Sequence, residues 1–471
     1  MRCGSGAAGR CDNGSDEEGG FLSGNTIPSR VWRCGLWAWA CAFALALSGC
    51  GGGGTGFGTA PPGPPGSLDA GFGAGGTVIT SIGGHAQVNA VTLQPDGKIL
   101  AAGYGSVAGG PRQVLLVRYA TDGTPDAGFG AGGKILSAPY AGDAEAIGVA
   151  LQPDGKIVVL AAGSSRALVR YTKEGTLDST FGSGGVVVSE PATDTKWAAV
   201  AVQPDGKIVV AESHATTNQI GAARFNIDGT PDSSFGVGGE AVVLLPPTSG
   251  GSTSVAPSIA IQPDGKILVG GSQATAIFGG ILHYSTVVRF DVNGVLDPTF
   301  GANGHDKGTL EYGLATIVLQ PDGKILAEVV GSGVEPVPRV SRLLPDGTID
   351  PAFGVGGTAS GIGGLLAVQP NGKIVTAENI NVGSAPSLRA GVKLSRYDTN
   401  GVLDRSFGNG GTVVQLIEAN NAAGGLLIQP DGRIVVAGYE SANPDPAFPL
   451  SAVVNVALVR YFGDPVATSV P

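Results

Sequence analysis

"AIGVALQPDGKIVVLAAG", residues 146–163, is two apolar runs divided by a turn. The turn has a mechanism. Pro presets φ for a type I turn, Asp bonds back to the backbone, and Gly takes the left-handed position that leads into a second strand. The stretch therefore reads as a β-hairpin. After it come "ALVRYT" (167–172), a Glu-Gly turn, "TLDSTFGSGG" and "VVVS" (186–189), which add two more short strands.

The same order recurs along the chain. "QPDGKI" and its variants begin at Gln94, Gln152, Gln203, Gln262, Gln320, Gln369 and Gln429, at spacings of 58, 51, 59, 58, 49 and 60. An Arg followed by Tyr, Phe or Leu appears at 118, 170, 224, 289, 342, 396 and 460. D-x-x-F-G supplies Phe72, Phe129, Phe181, Phe235, Phe300, Phe353 and Phe407. Each count is seven, but only if the opening "SLDAGFG" (67–73) belongs with the closing "ALVRYFGD" (457–464). Four short strands per repeat, no helical period and seven repeats predict an all-β fold, a single seven-bladed β-propeller of four-stranded antiparallel blades. Closure of the ring by the N-terminal segment pairing with the last repeat removes the exposed sheet edges that an open array would leave.

Composition agrees. Only 14 % of residues are charged, against about 25 % in an average soluble chain, as expected where blades cover one another on both faces. Gly and Pro number 81 and 31, and their periodic placement makes them punctuation of structure. The formal charge of −10 and the lack of a basic stripe argue against nucleic acid. All five cysteines (3, 11, 34, 41 and 50) precede residue 51, so the repeats hold no disulfide and no thiolate metal site.

Arg30 and Arg33 stand before "LWAWACAFALAL" (36–47), and "LSGC" (47–50) follows. A basic flank, a short apolar run and small residues form an export signal. "LSGC" resembles the bacterial lipobox, which implies cleavage before Cys50 and lipidation of its thiol. Asp12, Asp16, Glu17 and Glu18 do not suit a basic leader, so residues 1–29 read as a start assigned too early. The expected organisation is a signal over 1–49, a Gly/Pro-rich tether over 50–66, the propeller over 67–463 and a tail over 464–471. The expected location is a bacterial cell envelope, with the chain held on a membrane by its lipid.

"LQPDGKIVVAG" followed by "ALVRYxxDGTLDxxFGxGG" resembles the bacterial delta-60 repeat family over roughly residues 66–463. The resemblance implies a tandem-repeat propeller of secreted or lipid-anchored proteins, and implies no particular activity.

Each repeat Arg lies in an apolar strand, and a buried charge needs a partner. The Asp eight residues on supplies one. The expected ion pairs are Arg118–Asp126, Arg170–Asp178, Arg224–Asp232, Arg289–Asp297, Arg342–Asp350, Arg396–Asp404 and, across the ring junction, Arg460–Asp69. A ring of arginines binding an anion in the channel is the competing reading. "DGTPD" (122–126) and its relatives place oxygens closely enough for calcium, but Asn replaces the first Asp at 293 and 400. No cofactor is therefore expected, with calcium as the alternative. His85, His214, His283 and His305 fall in different repeats and form no H-E-x-x-H, so they read as isolated surface residues, with a His283–His305 metal pair as the alternative.

Residues common to all blades serve the ring, so function should lie where the copies differ. The two connections opposite the Pro-Asp-Gly turns vary most, notably at 244–258, 272–286, 330–341 and 439–452. Trp197, Tyr284 and Tyr439 are the expected aromatic contacts there. The sequence supports a monomeric, non-enzymatic binding or scaffold propeller for an envelope protein or polysaccharide. The alternative is a hydrolase or lyase acting on a glycan, lactone or ester at the channel mouth. Neither a nucleophile–base set nor an acid pair favours that alternative.

Overall fold

The computed structural model describes residues 63–464, apart from 108–109, 190–194, 215, 246–251, 278–279, 307–312, 331–336, 383–388, 416–420 and 442–453. Among these residues are 27 strands and no helix.

β1 (Thr77–Thr80) comes first in the chain but belongs to the last blade. The first blade is β2 (Gly84–Leu93), β3 (Ile99–Val107), β4 (Gln113–Tyr119) and β5 (Lys134–Ser137). The second is β6 (Ala144–Leu151), β7 (Ile157–Gly163), β8 (Ala167–Tyr171) and β9 (Val186–Val188). The third is β10 (Thr195–Val202), β11 (Ile208–His214), β12 (Gln219–Phe225) and β13 (Glu240–Leu244). The fourth holds β14 (Ser252–Ile261), β15 (Ile267–Ile277) and β16 (Gly280–Phe290). The fifth is β17 (Gly313–Leu319), β18 (Ile325–Val330), β19 (Arg339–Leu343) and β20 (Thr358–Ser360). The sixth is β21 (Leu365–Val368), β22 (Ile374–Val382), β23 (Arg389–Tyr397) and β24 (Thr412–Gln415). The seventh is β25 (Asn421–Ile428), β26 (Ile434–Ser441) and β27 (Val454–Tyr461), with β1 as its outermost strand.

This is a seven-bladed propeller closed by its own N-terminal strand. Thr77 faces Val459 and Thr80 faces Val456 in the antiparallel β1–β27 pair. The first strands of successive blades touch around the axis, and β25 meets β2 to complete the circle. The fourth blade varies the plan at its outer edge. Among the described residues a single bridge, Val288–His305, stands where the other blades have a fourth strand. The Asp306 carboxylate takes over ladder duty, its Oδ1 accepting the Val287 N–H at 2.8 Å.

Burial explains the apolar runs. In β7 six of the seven residues are buried, and in β8 all five are. Each core cluster draws residues from two neighbouring blades: Leu100, Val114 and Leu116 pack with Ile157, Val159 and Val169. The seven Phe of D-x-x-F-G are all 0 % exposed, each contributing about 1.5–3 kcal/mol of burial. The pairing of the first two strands slips by one residue in six of the blades, for example between Val88 and Ala90 and between Ala146 and Gly148. Such bulges increase local twist. One of them aims the Asn89 side chain at the next blade, where its Nδ2 donates to the Ala146 carbonyl at 3.0 Å.

Candidate functional site

Alternating strand direction gives the ring two ends. The Pro-Asp-Gly hairpins and the Arg-to-Phe connections lie at one end, and the remaining connections lie at the other. What each end can do follows from its side chains.

At the first end the repeat Arg is buried in every blade, from 0 % exposed at Arg396 to 7 % at Arg118. Its Nε donates to the Asp eight residues on, at 2.8 Å in Arg118–Asp126 and Arg170–Asp178 and 2.7 Å in Arg224–Asp232. The distance is 2.9 Å in Arg289–Asp297, Arg342–Asp350 and Arg396–Asp404. Arg460 makes the same bond to Asp69 at 2.8 Å. The guanidinium also lies over the Phe ring of its own repeat, 4.4–4.7 Å from the centroid. Nη1 then crosses to the following blade. It donates to the carbonyls of Lys173, Ile227, Val292, Pro345 and Thr399 in turn, and Arg460 returns to Thr121 of the first blade. Arg396 differs, reaching the Asp464 carboxylate at 2.9 Å. These contacts commit the arginines to holding blades together.

The residue missed in the sequence is the cation of the hairpin. Lys98, Lys156, Lys207, Lys266, Lys324 and Lys373 each place Nζ 2.9–3.6 Å from the repeat Asp, and Arg433 places Nε 2.9 Å from Asp69. Every repeat Asp therefore receives two cations. The substitution of Arg433 for Lys, which keeps the charge, was the available signal. Buried Gln residues add a stitch: Gln152 Nε2 donates to the Gly206 carbonyl at 2.7 Å and Gln369 Nε2 to Gly432 at 3.0 Å. Residues just before the first repeat motif also bond to the ring. Pro65 accepts the Gly408 N–H at 2.9 Å, and Gly66 donates to the Phe462 carbonyl.

The Asp-Gly turns use their oxygens locally. Asp122 Oδ1 accepts from Thr124 N at 2.9 Å and Thr124 Oγ1 at 2.7 Å, and Asp228 and Asp346 do likewise. Those bonds hold the Asp122 carboxyl below its ordinary value. The axial opening at this end, a cleft of about 340 Å³, is walled by Pro321, Pro370, Pro430, Leu93 and glutamines, with no ionisable group among its lining residues.

At the opposite end the blades differ. Between the first two blades a cleft of about 360 Å³ is lined by Arg112, Asp143, Glu145 and Ser164. Arg112 bridges to Glu145 at 3.1 Å and lies 4.5 Å from the Tyr104 ring centroid. Between the fifth and sixth blades Glu328 is buried, its Oε1 accepting the Gly364 N–H at 2.7 Å. Burial pushes its carboxyl up to about 7; the Gly364 bond opposes this and the Glu378 charge adds to it.

The three aromatic candidates part company here. Trp197 is 6 % exposed and packs edge-on against Phe225, ring centroids 5.3 Å apart, inside a blade interface. Its place at the third position of β10 turns the indole inward, so it offers no surface for a partner. Tyr439 is half-buried and lines a crevice with Gln415 and Val392. The Tyr284 side chain lies outside the described residues, as do Cys50, the signal, the tether up to residue 62 and the centres of the long loops.

Six stretches of the chain, 94–129, 152–181, 203–235, 262–300, 320–353 and 429–448, match the family model described as a domain of unknown function (DUF5122) β-propeller. Residues 76–107 match the WD domain, G-beta repeat. The chain is thus a repeat β-propeller by sequence as well as by structure. No curated protein matches it significantly. Similar solved structures include an unknown-function protein from Dyadobacter fermentans, 12 % identical, covering 82 % of this chain and 98 % of that one at TM-score 0.41. YCF48 from Cyanidioschyzon merolae is 11 % identical, with 81 % and 98 % covered at 0.42. A PL25 ulvan lyase, a polysaccharide lyase, is 12 % identical, with 80 % and 93 % covered at 0.46.

Proposed function

We propose that this chain is an exported lipoprotein of the delta-60 repeat type, anchored through Cys50, whose propeller acts as a monomeric, non-enzymatic binding or scaffold module. Its partner is an envelope protein or polysaccharide, engaged by the end that carries the variable connections. The carrying observation is the contrast between the two ends. One repeats a single ion-pair arrangement seven times and spends its charges on blade-to-blade contacts. The other presents clefts and buried acids that differ from blade to blade, and variable loops on a rigid scaffold are the usual place for recognition.

The test is to immobilise the folded chain and pass detergent-solubilised envelope extract and cell-wall polysaccharide over it. Retention of one defined component, lost when the chain is heat-unfolded, is the expected result. A folded sample that retains nothing counts against the proposal. A Cys50→Ala chain should leave the membrane fraction for the soluble one.

The hydrolase or lyase reading draws on Glu328, whose carboxyl titrates near neutrality beside Glu378. At 4 % exposure it is closed off from a polymeric substrate. Turnover of an envelope glycan that disappears in Glu328→Gln would reverse the preference.

A further inference from the structure

One buried carboxylate in the third blade has no place in the ring arrangement. Glu212, the fifth residue of β11, is 0 % exposed, and neither of its oxygens makes a hydrogen bond of good geometry; the nearest donors are the side chains of His214 and Trp197. It shares the face of β11 that carries Val210, which packs with Trp197, Ala223, Leu160 and Leu168 between the second and third blades. An ionised carboxylate in such surroundings costs several kcal/mol, so it is neutralised by a proton or compensated by a cation.

Two further ligand-type side chains converge on the same point. Gly221 lies opposite Glu212 in the β11–β12 pair and carries no side chain. Across that gap Glu240, the exposed first residue of β13, reaches toward Glu212. His214, two residues along β11, has Nδ1 3.1 Å from Thr195 Oγ1. That contact turns the other ring nitrogen inward, and Nε2 stands 3.5 Å from Glu212 Oε1. One donor atom from each of the three residues lies within 4.8 Å of the other two.

Without a cation the arrangement is costly. Burial raises the Glu212 carboxyl and the Glu240 charge adds to that effect, while His214 and the Trp197 side chain offset part of it. Arg166 arrives from the second blade, but its Nη1 donates to the Trp197 carbonyl. Two carboxylates and one imidazole match a different occupant. Zinc-class ions take such nitrogen and oxygen ligands at about 2.0–2.2 Å in a tetrahedron whose edges are about 3.4 Å, so modest side-chain movement closes the cluster. Calcium asks for six or more oxygens and no imidazole. Glu240 opens to solvent, which leaves an entry path and room for water as a fourth ligand.

We propose that Glu212, His214 and Glu240 bind one divalent transition-metal ion of the zinc class. The ion neutralises the two carboxylates and ties β13 to β11 across Gly221. The sequence reads His214 as isolated; register across strands, and no linear spacing, places it beside Glu212 and Glu240.

The test uses the full chain after chelator treatment, with its cysteines alkylated so that thiolates bind nothing. Zinc chloride is titrated against a chromophoric chelator, and bound metal is counted after dialysis. One equivalent per chain is expected, displaced poorly by calcium. Glu240→Gln and His214→Ala should each weaken binding by at least about tenfold. Because Glu240 is exposed, its substitution leaves the fold intact and keeps the test decisive. No retained zinc, or equal affinity in both variants, would overturn the assignment.

Discussion

Arg460 and Asp69 lie 391 residues apart in sequence and form a buried ion pair, Nε to Oδ2 at 2.8 Å. The same bond is made within single repeats by six other Arg–Asp pairs, so the ring junction is chemically one more copy of the blade. Arg433 joins Asp69 from the last hairpin at 2.9 Å. Asp69→Asn therefore strands two cations at the junction. The expected cost is about 3–5 kcal/mol, and the double change Asp69→Leu with Arg460→Met should cost less than either change alone. Urea unfolding of the four variants, Asp69→Asn, the two single changes and the double, checks this; a cost below about 1 kcal/mol for Asp69→Asn would show that the junction pair does not hold the ring.

Acid should attack the same arrangement. At Asp178 burial opposes ionisation, but bonds from Thr180 and Lys156 and the Arg170 charge outweigh it, holding the carboxyl down to about 2 from the ordinary 3.8. Asp232, Asp297 and Asp404 move in the same direction for the same reasons. A carboxyl lowered on folding adds stability that is complete above its unfolded value and is lost as pH falls through the folded one. Melting temperature should hold steady from neutrality to about pH 5 and drop steeply between about pH 4 and pH 2. Thr180→Val should lower stability at neutral pH and shrink that acid loss, because it brings the folded Asp178 value back toward the ordinary one. A flat profile down to pH 2 would contradict the cited shifts.

Glu328 carries the opposite sign. Its carboxyl rises on folding from 4.5 to about 7, so its contribution is intact below the unfolded value and lost as pH rises through the folded one. Glu328→Gln keeps an oxygen for the Gly364 N–H and removes the ionisation. It should leave stability near pH 4.5 little changed and raise it at pH 8 by up to about 3 kcal/mol. Equal effects at the two pH values would refute burial as the cause.

Two glycines of the second blade separate backbone strain from crowding. Gly155 and Gly175 both adopt positive φ, 86° and 90°. A Cβ on Gly155 would meet nothing closer than Lys173 Cβ at 3.7 Å, whereas on Gly175 it would fall 2.6 Å from Ile135 and 2.8 Å from the Phe129 ring. Gly155→Ala should cost about 1–2 kcal/mol from the left-handed backbone alone. Gly175→Ala should cost a further 1–3 kcal/mol, roughly, by overpacking the Arg118–Phe129 stack of the first blade. Thermal melts of the two variants give the comparison.

The blade count and the split repeat could be read because turn chemistry leaves Pro, Asp and Gly at fixed places, and tallies of three motifs balance only in a closed ring. The Arg–Asp pairing was readable from charge logic in an apolar strand. The strand that β1 would supply was not, since an outer and an inner strand look alike at four residues. Lys98 and its counterparts were hidden inside a turn motif whose other residues already explained it. Trp197 looked like a loop aromatic until strand alternation turned it inward. Glu212, His214 and Glu240 come together through register across β11, β12 and β13, which no linear pattern encodes.

The central claim is that the two ends of the ring do different work, one holding it together and the other meeting a partner. The direct measurement compares two variants in the envelope-capture experiment. The stretches 252–258 and 272–286, expected as connections, lie largely within β14, β15 and β16. One variant therefore replaces only 246–251 and 331–336 with Gly-Ser segments, and the other neutralises the exposed hairpin aspartates Asp96, Asp154, Asp205 and Asp264 at the opposite end. Both must first match the parent by circular dichroism. Loss of the captured component in the loop variant, with full retention in the hairpin variant, is the predicted result. Loss in the hairpin variant with retention in the loop variant would place recognition on the wrong end and contradict the account.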